Sequence, residues 1–362
     1  MKISRTGIPE VAAWAGVPGG RARVLVTGAG GNVAQGILKA LAASGLASWV
    51  VSTDVNPCSV GLFLTDMGYA VPRADSPEFA EVLSDIIRRE QIDIVLVGAD
   101  AETLHLARLR ASLEAETGCT LVVSPADVVA RCHDKWLTSL WFQENGLLHP
   151  HTVLAGDRQA VADLVGLVGY PLVVKPRTGF ASRDVLLVHR AELLEAACAR
   201  FGDSAIVQEH VGEPSGEYTA TAFAVQPGLV PAALVMHREL LQGTSVRVEP
   251  LDDPVVRAEV IRWAELLGGI GPLNFQFRAT SRGPVCFEVN ARFSGTMGVR
   301  YHFGYNDTAM AVRHFALGEE LTQPDVSPGV VLRFWEEIFL PGRDLRGLSD
   351  SRCFAAGEPC HG

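Results

Sequence analysis

The sequence has no apolar run long enough to cross a membrane, although 48% of its 362 residues are hydrophobic. The first residues, with Pro9 and Pro18 among them, also lack the continuous apolar segment of a signal peptide. Charged residues make up 20% of the chain, which is typical of a globular protein. The length of 362 residues is sufficient for two or three domains. We therefore expect a cytoplasmic protein that does not associate with membranes.

Basic charge is scarce as well, since the formal net charge is -10. Affinity for nucleic acid depends on clustered Lys and Arg, so this balance argues against a general nucleic-acid surface but leaves room for one small anionic ligand. The seven cysteines include no Cys-x-x-Cys pair, which favours reduced thiols and argues against a zinc site.

Lysine is the scarcest basic residue. Only four of the 31 basic residues are lysine: Lys2, Lys39, Lys135 and Lys175. A chain that otherwise uses arginine keeps lysine where a compact ammonium group is needed rather than a planar fork.

The pattern that follows residues 1–20 is a strand, a glycine turn from Gly28 to Gly31, a helix and a second strand that ends at Asp54. This βαβ pattern predicts an open parallel sheet over residues 21–123. The turn also permits dinucleotide binding with Asp54 on the ribose, as in an NAD(P)-dependent epimerase or reductase. Against that reading, position 33 is Val33 rather than glycine, and no Tyr is followed four residues later by Lys.

Two carboxylates, Asp100 and Glu102, follow the strand at residues 92–97. Open α/β sheets bind ligands beyond the carboxyl ends of their strands, so these side chains are candidates to face a ligand. The alternative is that Glu102 only supplies negative charge to the first turn of the following helix.

The strongest pattern is a predicted hairpin near residues 271–290. Asn274 and Gln276 share one face of the first strand, and Glu288 and Asn290 share one face of the second, with Arg292 one step beyond. A carboxylate beside amide oxygens suits Mg²⁺, which prefers oxygen ligands. An ordinary hairpin with a solvated polar face would show similar alternation.

This hairpin resembles the metal-binding core of the ATP-grasp superfamily, in particular the carbamoyl-phosphate-synthetase-like ligases. The resemblance implies that Gln276, Glu288 and Asn290 hold magnesium, or manganese in its place, on ATP. It also implies that Arg292 stabilises the acyl-phosphate chemistry. The resemblance covers residues 21–340 with no second copy of the unit, and Asp100 and Glu102 match a segment that faces the substrate in the family.

The same resemblance implies the nucleotide-binding residues. Lys135 and Lys175 would contact phosphates, Glu217 the ribose, and residues 177–185 would form a loop over the phosphates. That loop departs from the family because Gly179 is its only glycine. The remaining residues implied to bind the nucleotide are Ser182, Gln208, Glu209, Val211 and Phe287.

A second departure concerns the acyl substrate. Carbamoyl-phosphate enzymes have a further Arg three residues after Arg292, where this chain has Gly295. We expect a pocket opened for a carboxylate larger than bicarbonate, with Arg300 binding its anionic group.

The resemblance thus implies an α/β protein whose Rossmann-like parallel-sheet domain precedes a two-lobed ATP-grasp domain. The predicted divisions are 1–20, 21–123, a small lobe with the phosphate loop at 124–204, a large lobe with the metal site at 205–322, and 323–362. The implied activity is ATP-dependent ligation of a small carboxylate to an amine through an acyl phosphate, giving ADP and phosphate. A reductase, or a nucleotide-binding protein without ligase activity, is the alternative, and a homodimer is left open.

Overall fold

The computed structural model describes residues 21–179, 184–212 and 216–340, together with the backbone of residues 354–355. Ser182 of the predicted phosphate loop lies outside the described residues. The described chain forms one parallel and two antiparallel sheets, as expected of an α/β protein with an ATP-grasp-like second half.

The first sheet has the order β16-β3-β2-β1-β4-β5, and all of its pairs are parallel except β16 with β3. Its strands are β1 (Ala22–Val26), β2 (Ala47–Asp54), β3 (Met67–Ala70), β4 (Ile94–Leu96), β5 (Thr120–Val122) and β16 (Phe354–Ala355). The helices between them are α1 (Asn32–Ser44), α2 (Phe79–Arg89) and α3 (Asp100–Thr117). Because β1, β2 and β4 run parallel, Thr27, Asp54 and the start of α3 meet at one edge of the sheet.

A four-stranded antiparallel sheet with the order β6-β9-β7-β8 forms the small lobe. It contains β6 (Thr152–Leu154), β7 (Leu172–Pro176), β8 (Leu186–Val188) and β9 (Ala205–Glu209), with α6 (Arg158–Val168) and α7 (Ala191–Phe201). Since β9 pairs with both β6 and β7, residues 205–209 belong to this sheet and not to the large lobe predicted from residue 205 onward.

The large lobe is a six-stranded sheet with the order β14-β13-β10-β11-β12-β15. Its strands are β10 (Glu217–Ala224), β11 (Ala232–Leu241), β12 (Thr244–Pro250), β13 (Gly271–Thr280), β14 (Gly283–Asn290) and β15 (Val331–Leu332). The helices α4 (Ala126–His133), α5 (Lys135–Glu144) and α8 (Pro254–Leu267) contribute Val128, Phe142 and Trp263 to a core shared with Phe275 of β13.

Two segments differ from the sequence-based expectation. The predicted loop at 298–306 contains the helix α9 (Met297–Arg300) and a 3₁₀ turn, Tyr301–Phe303, before α10 (Asp307–Ala311). The predicted strand at 330–335 pairs only over Val331–Leu332, and Phe334 and Trp335 beyond it are exposed.

The parallel sheet and the large lobe share two hydrophobic cores: one includes Leu25, Val95 and Phe275, and the other includes Val24 and Phe223. They also meet where Gly36 of α1 lies against Gly298 of α9, so closely that a Cβ on Gly36 would come 2.8 Å from the Gly298 nitrogen. This contact brings the carboxyl edge of the parallel sheet up to the polar hairpin.

Candidate active site

The hairpin of β13 and β14 pairs the predicted metal ligands directly. Asn274 lies opposite Asn290, and Gln276 lies opposite Glu288. Glu288 Oε1 accepts hydrogen bonds from Gln276 Nε2 at 3.2 Å and from Asn290 Nδ2 at 3.1 Å. The strand alternation therefore brings Gln276, Glu288 and Asn290 together on one face.

These three side chains fit a magnesium ion chemically. They supply one carboxylate and two amide oxygens, and hard oxygen donors are what Mg²⁺ takes in proteins. Burial raises the pKa of Glu288, but the ammonium groups of Lys135 and Lys175 outweigh it and hold the net pKa below its usual value. Glu288 is thus ionised, as a metal ligand must be. Among the described residues, no group of three or more His, Cys, Asp and Glu side chains offers a competing metal site.

An arginine pair that the sequence did not reveal surrounds Glu217. Arg238 of β11 donates to Glu217 at 2.6 Å and to Gln276 Oε1 at 2.8 Å, and Arg278 of β13 donates to the other Glu217 oxygen at 3.1 Å. The side chain of Glu217 is 12% exposed, so both ion pairs are largely shielded from solvent. Cross-strand pairing of β10 with β11 and β13 brings these residues together, and the linear sequence gives no signal for it.

Both predicted phosphate lysines line a cavity of about 300 Å³ between the small lobe and the large lobe. Lys175 is 6% exposed, and its Nζ lies 3.4 Å from the Phe287 carbonyl oxygen and 5.7 Å from the centre of the Phe287 ring. Burial lowers the pKa of Lys175 to about 8, against the opposing charge of Glu288. Lys135 Nζ donates to the Gly179 carbonyl at 3.0 Å, next to the phosphate loop. Two ammonium groups in one cavity suit an anionic ligand.

The predicted adenine-binding segment lies on the far wall of the same cavity, which Gln208, Glu209 and Val211 line. Gln208 donates to the Thr152 hydroxyl at 2.9 Å. The Glu209 carboxylate accepts from Arg282 at 2.8 Å and from the His151 backbone N–H at 3.0 Å. These hydrogen bonds fix the side chains of Gln208 and Glu209, and the end of β9 forms one wall of the cavity.

A larger cavity of about 530 Å³ lies between the parallel sheet and the large lobe, and Asp54, Glu102 and Arg292 are among its lining residues. Arg238, Gly243, Gln276 and Glu288 line this cavity and the smaller one alike. The two cavities therefore meet at two of the three predicted metal ligands, Gln276 and Glu288, whereas Asn290 lines neither cavity.

Arg292 extends from the hairpin into the larger cavity. It forms an ion pair with Asp100 at the start of α3, in which its second nitrogen lies 3.0 Å from Oδ2, and it also donates to Asn290 Oδ1 at 3.2 Å. Asp100, which the sequence predicted to face a ligand, instead forms this ion pair and orients Arg292 toward the metal ligands.

Arg300 does not reach either cavity. It is 0% exposed, forms a 2.6 Å ion pair with Asp307, and donates to the hydroxyl groups of Ser294 and Thr296. The helix α9 turns it into the core, so its position does not fit the predicted role on the substrate's anionic group. The space expected at Gly295 is also restricted, because a Cβ there would come 2.7 Å from Asn32 Nδ2. The larger cavity has two further arginines that the sequence did not single out, Arg73 and Arg333.

The glycine turn after β1 is closed by the chain itself. Gly28 has a φ of 63°, and a Cβ on it would come 2.4 Å from the Ala99 Cβ. The Asp54 carboxylate accepts from the Gly30 N–H at 2.7 Å and from the Asn56 N–H at 2.8 Å. Because its oxygens hold the turn, Asp54 serves the structure rather than a dinucleotide ribose.

Comparison with protein families gives two matches. Residues 24–122 match the family described as "PylC-like, N-terminal domain", and residues 215–337 match "ATP-grasp in the biosynthetic pathway with Ter operon". None of the helices in the described ranges is both long and apolar enough to span a bilayer.

Curated relatives include carbamoyl-phosphate synthases. The synthase of Methanobrevibacter smithii is 24% identical over 259 residues, which are 68% of each chain. The large chain from Pseudomonas putida is 25% identical over 91% of this chain, which spans only 32% of that relative.

Solved structures of similar fold include N5-carboxyaminoimidazole synthetase from Staphylococcus aureus, with a TM-score of 0.69 and 12% identity over 87% of this chain and 82% of that one. The biotin carboxylase domain of the Hydrogenobacter thermophilus 2-oxoglutarate carboxylase, solved as a dimer with MgADP and bicarbonate, has a TM-score of 0.65 and 17% identity over 86% and 73%.

Proposed function

We propose that the chain is an ATP-dependent ligase of the ATP-grasp type, with ATP and Mg²⁺ as cofactors, that couples a small-molecule carboxylate to an amine. The bond formed is an amide, and the products are ADP and phosphate. The observation that supports this proposal is the meeting of two cavities at Gln276 and Glu288. One cavity has the size and charge for a nucleotide, and the other has room for an organic acid.

In this proposal the phosphates bind beside Lys135 and Lys175, and Gln276, Glu288 and Asn290 hold the metal, which neutralises phosphate charge when bound. The adenine lies against the end of β9, near Gln208, Glu209 and Val211. Glu217 would take the ribose, with Arg238 and Arg278 fixing the position of its carboxylate.

Arg292 faces the larger cavity, where it would hold the substrate carboxylate and stabilise the negative charge of the transition state as the γ-phosphoryl group passes from ATP to that carboxylate and ADP leaves. Asp100 holds its guanidinium in place. The amine then displaces phosphate, so no protein nucleophile is needed. Shielding of this junction from water would protect the activated acid until the amine arrives.

The test is release of ADP and phosphate from Mg²⁺ and ATP in the presence of pooled carboxylic acids and amino acids, with and without amines. Lys175→Met removes the buried ammonium group while keeping a similar shape. We expect it to lower kcat/KM about 10²-fold or more, the range found for loss of a charge-stabilising donor. Lys39→Met, which changes an exposed lysine of α1, is the matched control and should retain full activity.

ADP release that requires both an acid and an amine, and that fails in Lys175→Met alone, supports the ligase. ATP binding without release from any pool would favour a nucleotide-binding protein without ligase activity. Equal loss of activity in both lysine variants would contradict the role of Lys175.

A further inference from the structure

Glu102 is a buried carboxylate with an unsatisfied oxygen at the wall of the larger cavity. It lies in the first turn of α3, is 4% exposed, and its Oε2 has no hydrogen-bond partner. A buried polar group that lacks a partner costs free energy, and an ionised one costs more. A feature of this kind at a cavity wall points to a missing ligand group.

Among the described residues, the charge that acts on Glu102 is that of another carboxylate, and His105, one turn further along α3, lines the same cavity. The Thr27 hydroxyl bonds to Glu102, and the carboxylate of Asp54 lies close enough to act on it by charge. Asp54 itself accepts only the backbone N–H groups of Gly30 and Asn56 among the bonds described for it. Burial, with the charge of Asp54 and against the Thr27 hydrogen bond, raises the pKa of Glu102 to about 7.

The arginines of the same cavity are engaged elsewhere. Arg292 pairs with Asp100, Arg73 pairs with Asp75 at 3.0 Å, and Arg238 pairs with Glu217 at 2.6 Å. The fourth, Arg333, donates to the Gly295 carbonyl. The guanidinium groups of this cavity are thus bound to Asp100, Asp75, Glu217 and a backbone carbonyl. Within the described residues, Glu102 and Asp54, at the carboxyl ends of β4 and β2, form no ion pair.

We infer that Glu102, with Asp54 behind it, binds a protonated amino group of the substrate. An ammonium group would satisfy the orphaned oxygen and offset the repulsion between the two carboxylates. The inference rests on the proposed function, since it deepens the substrate class: one of the molecules joined carries an amino group that is recognised as a cation, apart from the nitrogen that enters the new bond.

Binding of matched probes tests this subsite without turnover. Amino acids and ω-amino acids are compared with the corresponding hydroxy acids, which are nearly isosteric but neutral at that position, by calorimetry on the full chain with Mg²⁺ and a non-hydrolysable ATP analogue. We expect at least one amino compound to bind about tenfold or more tightly than its hydroxy partner, because a charge-assisted hydrogen bond to a buried group is involved.

The variant Glu102→Gln keeps the shape and should remove that preference, lowering the affinity for the amino compound about tenfold or more. Glu116→Gln makes the same change at an exposed position near the end of α3 and should change nothing. Unaltered affinity of Glu102→Gln for the ATP analogue shows that the variant is folded, since replacing an orphaned carboxylate need not destabilise the chain.

Equal binding of amino and hydroxy compounds, an undiminished preference in Glu102→Gln, or no binding of any amino compound would each overturn the subsite. Failure of the proposed function looks different. In that case the ATP analogue does not bind, or ATP is never converted to ADP, while the comparison of amino and hydroxy compounds still decides the role of Glu102.

Discussion

A single buried carboxyl group, Glu102, sets a pH dependence of stability that can be measured without any substrate. Its pKa of about 7 in the folded chain lies above the ordinary value of 4.5, and burial is the main cause. The stability that the protonated form provides is fully present below about pH 4.5 and is lost as the pH rises through about 7.

We therefore expect wild-type chain to lose on the order of 3 kcal/mol of unfolding free energy through this group over that interval, since each pKa unit is worth about 1.4 kcal/mol. Glu102→Gln cannot ionise, so urea unfolding at both ends of the interval should show a smaller decline than in the wild type. A decline as steep as that of the wild type would mean that Glu102 does not titrate in the folded chain near neutral pH.

Alternation along the hairpin allowed Asn274, Gln276, Glu288 and Asn290 to be grouped from the sequence, because side chains two apart on a strand share a face. Arg300 was assigned on other grounds, its position further along the chain than Arg292, and the structure does not place it at either cavity. Its distance from Arg292 along the chain says nothing about α9, which turns the guanidinium toward Asp307. The role of Arg238 could not be predicted from the sequence either, because only the register of β10 with β11 brings it next to Glu217.

At the scale of elements, the close contact of α1 with α9 holds the parallel sheet against the large lobe. Gly36→Ala would place a Cβ 2.8 Å from the Gly298 nitrogen and 2.9 Å from the Met297 Cβ. We expect a loss of about 1 to 3 kcal/mol in unfolding free energy, the usual cost of overpacking, measured by urea denaturation.

The matched control is Gly166→Ala in α6. A Cβ there would meet nothing within 4 Å, and Gly166 is exposed within a helix. This change should stabilise the chain by about 0.4 to 1 kcal/mol through the unfolded state. If Gly36→Ala were as harmless as Gly166→Ala, α1 and α9 would not pack as closely as described.

Most elements of the parallel sheet could be predicted from the sequence, because glycine turns and buried apolar runs mark βαβ units. The parallel sheet followed by antiparallel sheets confirms the predicted fold class. The predicted boundary between the small and the large lobe, after residue 204, left β9 out of the small-lobe sheet that it joins. The sequence of a short apolar strand does not indicate which sheet the strand belongs to. The helix α9 was not predicted, because a segment of four residues that includes Gly298 is too short to show helical periodicity.

For the whole molecule, the distribution of the cores predicts which parts unfold together. The parallel sheet and the large lobe share two cores, whereas the small lobe has a separate core built from residues between 153 and 207. In native-state hydrogen exchange, Gly36→Ala should lower the protection of β1 and β13 by the same free energy and leave β7 of the small lobe nearly unchanged.

An equal loss of protection in β7 would instead mean that all three sheets form one cooperative unit. Hydrogen exchange of the wild type and of the Gly166→Ala variant provides the two references. Because Gly166 lies in the small lobe, that variant shows how β7 responds to a change within its own lobe.

The two cavities are lined by different parts of the chain, and this affects how the substrate specificity of such chains can change. Every residue that lines the smaller cavity comes from position 135 or later in the described chain, whereas Gly28, Asp54 and Glu102 line the larger one. Exchange of residues 21–123 for the equivalent domain of a relative could therefore change the substrate specificity. The residues that line the smaller cavity, proposed to bind ATP, would stay the same. Such a chimera would need to preserve the contacts between the halves, which include the shared hydrophobic cores, Gly36 against Gly298, and Asp100 against Arg292.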